Sequence, residues 1–105
     1  MRIQEGHIPH IEKAVGFELY DMQKQYLLRK APMGNDRRSG RTTAYCILIA
    51  LSDGDELDLK RPEEFSDGWE LSNHIPYARG FFRSEFMRIY NKLKDYGFPV
   101  RPVRK

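Results

Sequence analysis

Hydrophobic positions are most regularly spaced between residues 82 and 96. Phe82, Phe86, Ile89, Leu93 and Tyr96 recur at steps of four, three, four and three, which lines one face of a helix and predicts helix over about residues 78–96. Gly97 supplies a stop, and Pro99 and Pro102 beyond it leave the tail "PVRPVRK" extended. A second apolar run, residues 44–51, is hydrophobic on nearly every side. It predicts a buried central helix that starts at Ser39 or Gly40 and ends at about Ser52, where "SDG" turns the chain.

Upstream, "PHIEKAVG" predicts a brief helix from near Pro9 to Gly16. "FELYDMQKQYLLRK" follows, with Leu19, Met22, Tyr26 and Leu27 near one helical face and basic residues at its end. "APMGNDRRSG" reads as a loop. Between the two clearest helices, "DELDLKRPEEFSDGWELSNHIP" alternates Leu57 and Leu59 with charges and breaks at Pro62 and Gly68. Either a strand of two to four residues or an irregular excursion fits. The expectation is a mostly irregular segment pinned by Leu57, Leu59, Phe65 and Trp69, with Glu63 and Glu64 in the first turn of a short helix. The pattern therefore predicts a mainly α fold, one domain over 1–105. It has three to four helices, at most a short β element, and flexible ends at 1–7 and 99–105.

Composition changes this picture in two respects. With 31% charged residues and 40% hydrophobic ones the chain folds around a thin core. Its longest apolar run, "AYCILIAL", is far shorter than the roughly 20 residues of a membrane span, so no membrane association is expected. The single cysteine, Cys46, cannot form an internal disulfide or a multi-cysteine zinc site, and its apolar neighbours predict a buried thiol and a cytoplasmic location. Net charge is +3, yet residues 53–70 hold eight acidic and two basic side chains, so the remainder is strongly basic. Such a body suits nucleic acid, an acidic loop suits a basic partner, and the two faces could equally attract each other.

The segment "GNDRRSGRTTAYCILIAL" nearly spells a phosphate-binding loop running into a helix. A G-x-x-x-x-G-K-[ST] loop uses glycines to curl backbone N–H groups around phosphate, a lysine to reach the outer phosphates, and a hydroxyl to hold magnesium. Gly40, Arg41 and Thr42 fill the last three places, but Asn35 stands where the first glycine belongs and Arg41 replaces the lysine. A planar guanidinium does not substitute for a compact ammonium in a tight loop. Neither a buried strand before the loop nor a later apolar run ending in an acid completes a nucleotide fold. What the residues still predict is an anion or phosphate contact at Arg37, Arg38, Ser39, Gly40, Arg41, Thr42 and Thr43, where a helix start exposes free N–H groups. Binding of Mg-ATP or Mg-GTP is the alternative, and a structural cap by Ser39 and Thr42 the third possibility.

"LYDMQKQYLL", "RRSGRTTAYCILIALSDG", "RPEEF" and "YARGFFRSEFMRIYNKLKDYGFPVR" resemble a family of small phage and prophage proteins of unsettled function that carry a GRRSGKTTAYC-like segment. The likeness covers most of the chain between Leu19 and Arg101. It implies origin on a mobile element more than a mechanism. Small phage proteins of this kind often act by binding a host or phage machine, including as inhibitors of defence nucleases, and the expectation is a non-enzymatic accessory protein that acts by binding a host or phage macromolecule. A host or phage protein is then the implied partner, with nucleic acid possible and no cofactor required.

On the last helix Arg79, Arg83, Arg88 and Lys92 lie off the apolar stripe. With Arg101 and Arg104 they form a candidate macromolecule-binding surface, to which Tyr77, Phe81 and Tyr90 could add stacking. An ordinary amphipathic helix with a basic polar face has the same pattern. His7, His10 and His74 lack metal-ligand spacing, and Ser39, Ser66 and Ser84 lack a G-x-S-x-G context, so neither a metal site nor a catalytic residue is predicted.

Overall fold

A computed structural model of the chain describes residues 1–32, 40–68 and 72–104. They form a mainly helical single domain: α1 (Ile8–Val15), α2 (Asp21–Leu27), α3 (Arg41–Leu51), α4 (His74–Tyr77), a π turn (Ala78–Phe82) and α5 (Arg83–Tyr96). A sheet of two short strands, β1 (Leu57–Asp58) and β2 (Val103–Arg104), completes it. Single 3-10 turns occupy Glu5–His7 and Pro62–Glu64.

Each boundary has a local cause. Pro9 sits in the first turn of α1, where its missing N–H costs nothing. α5 ends in a Schellman motif, with Gly97 left-handed at φ 113°. Gly97 N–H reaches the Lys94 carbonyl and Phe98 N–H reaches the Leu93 carbonyl. α2 ends the same way, through Arg29 N–H to the Tyr26 carbonyl and Lys30 N–H to the Gln25 carbonyl. The left-handed position there is filled by Arg29, at φ 61°.

α5 packs chiefly across α3 and then against α1. Phe82, Phe86, Ile89 and Leu93 meet Cys46, Ile47, Ala50 and Leu51 of α3 and Ile11 and Val15 of α1, all buried. Phe65 closes this core from the irregular segment, its ring edge-on to Phe82 at 5.8 Å and to Phe86 at 5.4 Å. Leu57 and Leu59 are buried as expected. Trp69, the fourth expected anchor, lies outside the described residues.

The predicted helix 78–96 begins earlier, at His74, and is not uniform. Through Ala78–Phe82 the bonding widens, so that Arg83 N–H reaches back to the Ala78 carbonyl. Residues five apart then stack above one another, which puts Tyr77 and Phe82 on one side with ring centroids 6.4 Å apart. The apolar stripe ends at Leu93. Tyr96 is 44% exposed because the helix has run past the core, and its hydroxyl meets His10 Nδ1 at 2.8 Å.

In α2 the buried residues are Leu27, as expected, and Gln23, whereas Met22 is exposed, and Leu19 is buried just before the helix. The tail is partly built into the fold. β2 lies parallel to β1 with Leu57 opposite Val103, and Arg101 N–H bonds the Ala50 carbonyl at the end of α3. At the other end of the chain Ile3 is part of the core. No helix among the described residues is long and apolar enough to cross a membrane.

Candidate functional site: the start of α3

α3 begins at Gly40, which is left-handed at φ 72°. The position is doubly specific for glycine. A Cβ there would lie 2.2 Å from Gln23 Nε2, because the buried Gln23 side chain donates from Nε2 to the Gly40 carbonyl at 3.0 Å. Gln23 Oε1 accepts from Tyr20 N–H at 2.8 Å, so one amide ties the start of α2 to the start of α3.

Two residues on, in the first turn, Thr42 does not cap its own helix. Its hydroxyl donates to Asp67 Oδ2 at 2.9 Å, and Tyr77 donates to Asp67 Oδ1 at 2.7 Å. Arg41 Nη2 reaches the Asp67 carbonyl at 3.2 Å. A carboxylate is thus held between a hydroxyl of α3 and a phenol of α4, beside the positive end of the α3 dipole. Burial, with Asp67 nearby, pushes the Tyr77 phenol up to about 12. Tyr45, one turn along α3, is also raised to about 12, mainly by burial, and its hydroxyl donates to the Phe65 carbonyl at 2.8 Å.

Of the expected anion contacts, Gly40, Arg41, Thr42 and Thr43 lie at this helix start, and Arg37, Arg38 and Ser39 fall outside the described residues. Asp67 was not legible as a site residue. Its signal in the sequence, the "SDG" of residues 66–68, reads as a turn.

The candidate basic surface is not one patch of free cations. Arg79 grips Glu63 through two nitrogens, at 3.1 and 2.9 Å. Arg83 donates to the Leu59 carbonyl, Arg88 pairs with Glu85, and Lys92 Nζ reaches the Val15 carbonyl at the end of α1. Arg101 braces the turn after α3 through the Asp55 carbonyl and Ser52 Oγ, and Arg104 bonds Asp58 at 2.9 Å. Arg79 and Arg83 thus hold the segment 59–63 and Lys92 holds α1 against the last helical run, Arg101 and Arg104 tie the tail to residues 52–58, and Arg88 pairs within α5. Of the three aromatic candidates, Phe81 is 60% exposed and Tyr77 faces Asp67. Tyr90 is buried, with its hydroxyl on the Arg101 carbonyl.

Arg61, Arg101 and Arg104 face Glu56, Asp58 and Glu64 around an open cleft of about 570 Å³. Its charges pair across it, Arg104 with Asp58 and Glu56 and Arg61 with Glu64. The Arg79 guanidinium beside Glu63 holds that carboxyl down at about 2, and burial pushes the Cys46 thiol well above its ordinary range. The histidines are dispersed: His7 Nδ1 accepts from Gln4 N–H, His10 meets Tyr96, and His74 Nε2 donates to the Glu63 carbonyl. Among the described residues no group of three metal-binding side chains occurs.

No protein family, curated protein or solved structure matches this chain.

Proposed function

We propose that this chain is a non-enzymatic accessory protein of a phage or mobile element, acting in the host cytoplasm by binding a host or phage protein, as an inhibitor of a defence nuclease would. The observation that carries the non-catalytic part is the state of its titratable groups. Catalysis needs acids, bases and nucleophiles whose pKa values are tuned toward the working pH. Among the described residues the strongly perturbed groups are displaced the other way and are engaged in structural contacts: Tyr77 donates to Asp67, Tyr45 donates to the Phe65 carbonyl, Glu63 is ionised in the grip of Arg79, and Cys46 is a buried thiol. Protein over nucleic acid is favoured by the internal pairing of Arg79, Arg88 and Arg104, which lowers the charge available to a phosphate backbone. The mobile-element origin rests on the sequence resemblance.

The test is affinity capture by the full chain from host lysate, alongside titration with single-stranded and duplex nucleic acid. Salt-resistant recovery of one host protein supports the reading. Nucleic-acid binding that weakens by orders of magnitude between about 50 and 200 mM salt replaces it with a nucleic-acid-binding factor.

One observation favours a second reading. A hydroxyl and a carboxylate 2.9 Å apart, Thr42 and Asp67, are the kind of protein ligands a magnesium ion uses when nucleotide phosphates supply the rest of its shell. Calorimetric titration with Mg-ATP and Mg-GTP decides this. Saturable heat lost in both Arg41→Ala and Thr42→Ala establishes a nucleotide site, and no heat at millimolar nucleotide removes it.

A further inference from the structure

The six residues Phe17 to Met22 reverse the usual logic of a connecting turn. Phe17, Tyr20 and Met22 are 38, 63 and 46% exposed, half of the large hydrophobic side chains that the described residues leave exposed. Their exposure does not come from a loose backbone. Leu19 is buried between them, its N–H donates to Glu12 Oε2 at 2.7 Å, and the next N–H, of Tyr20, is held by the buried Gln23 amide. The turn is therefore anchored from below by α1 and α2 while its large side chains point outward. The remaining two residues, Glu18 and Asp21, are exposed acids, and residues 16–23 hold no lysine or arginine although the chain as a whole carries +3.

Aromatic and methionine side chains on a pre-formed backbone suit a protein interface, because little entropy is lost when they are covered. We propose that Phe17, Tyr20 and Met22 form a docking surface for a protein partner that presents an apolar pocket rimmed by lysine or arginine. The basic rim follows from Glu18 and Asp21, which would meet it and would repel a nucleic-acid backbone. This rests on the protein-binding reading above and places the contact on the connection between α1 and α2 and the first two residues of α2.

The probe is a random peptide library panned on the native chain, with the best synthetic peptide then titrated into the native chain and two variants, Tyr20→Ser/Met22→Ser and Glu18→Lys/Asp21→Lys. All four positions are exposed, so a single cooperative unfolding transition is expected of both variants and verifies both folds, with a slightly lower midpoint for Glu18→Lys/Asp21→Lys because Asp21 opens α2. The expected result is enrichment of peptides with lysine or arginine flanking apolar residues, and a loss of affinity of about tenfold or more in each variant. No enrichment, an acidic consensus, or equal binding by the variants overturns the proposal. Self-association of the native chain that Tyr20→Ser/Met22→Ser abolishes also overturns it, by assigning the surface to a second copy. If a host protein is captured equally well by the native chain and both variants, the binding function stands and this surface falls.

Discussion

Thr42 Oγ1 and Asp67 Oδ2 lie 2.9 Å apart, joining the first turn of α3 to a residue 25 positions further along the chain. Tyr77 shares the carboxylate, so three elements distant in sequence meet at one acid. Thr42→Val and Tyr77→Phe should each destabilise the fold by about 1 kcal/mol, with Thr42→Ser nearly neutral. Because both groups serve the same carboxylate, the double variant should depart from additivity by about 0.5 kcal/mol or more. Urea unfolding of the four chains measures this, and strict additivity would refute a shared role.

Gly40→Ala combines a left-handed backbone with a Cβ placed on the Gln23 amide. The expected loss is about 2 kcal/mol, from backbone strain and a broken hydrogen bond together. Placed on a Gln23→Ala background, the same substitution should cost only the strain, about 1 kcal/mol. An equal cost on both backgrounds in thermal or urea unfolding would show that the amide is not the obstacle.

Arg29 occupies the left-handed position of a Schellman motif, where glycine is the usual residue. Arg29→Gly should therefore raise stability by about 0.5 kcal/mol, relief of the strain slightly exceeding the entropy gained by the unfolded chain. A rise in the urea midpoint with unchanged slope would confirm it, and a fall would mean that the arginine side chain matters more than its backbone.

Glu63 links the Pro62–Glu64 turn to Arg79, chiefly through the hydrogen bonds from that guanidinium, which lower its carboxyl from 4.5 to about 2. A depressed carboxyl adds stability that is present above its unfolded value and lost as pH falls through the folded one. Stability should thus decline between pH 4.5 and about 2, the window set by those two values. Glu63→Gln should flatten that decline. A carboxyl titration by NMR with an ordinary midpoint at Glu63 would refute the clamp.

Much of the fold was legible because α5 and α3 are periodic or continuous in their apolar residues, and such patterns survive in any context that buries them. Phe82, Phe86, Ile89 and Leu93 needed no partner to be recognised as core. Gln23 was missed for the opposite reason. Its burial depends on Tyr20 and Gly40 together, and no local pattern announces an amide that serves two backbone groups. The pairing of Leu57 with Val103 was equally hidden, since two-residue strands carry almost no alternation to read. At the candidate site, glycine and threonine stood in a recognisable order, whereas Asp67 comes from a turn whose sequence specifies only that the chain bends.

The wide turn at Ala78–Phe82 has a consequence for how this chain can change length. A π turn holds one residue more than the α-helix that would join the same two faces. Deleting Gly80, which is exposed and whose added Cβ would touch nothing, should leave Tyr77 on Asp67 and Phe82 in the core, with ordinary α bonds between them. One further residue at the same place would instead rotate one face by about 100° against the other. Across descendants of this sequence, the helix is then free to lose a residue here but not to gain one, a constraint on residue count and not on residue identity.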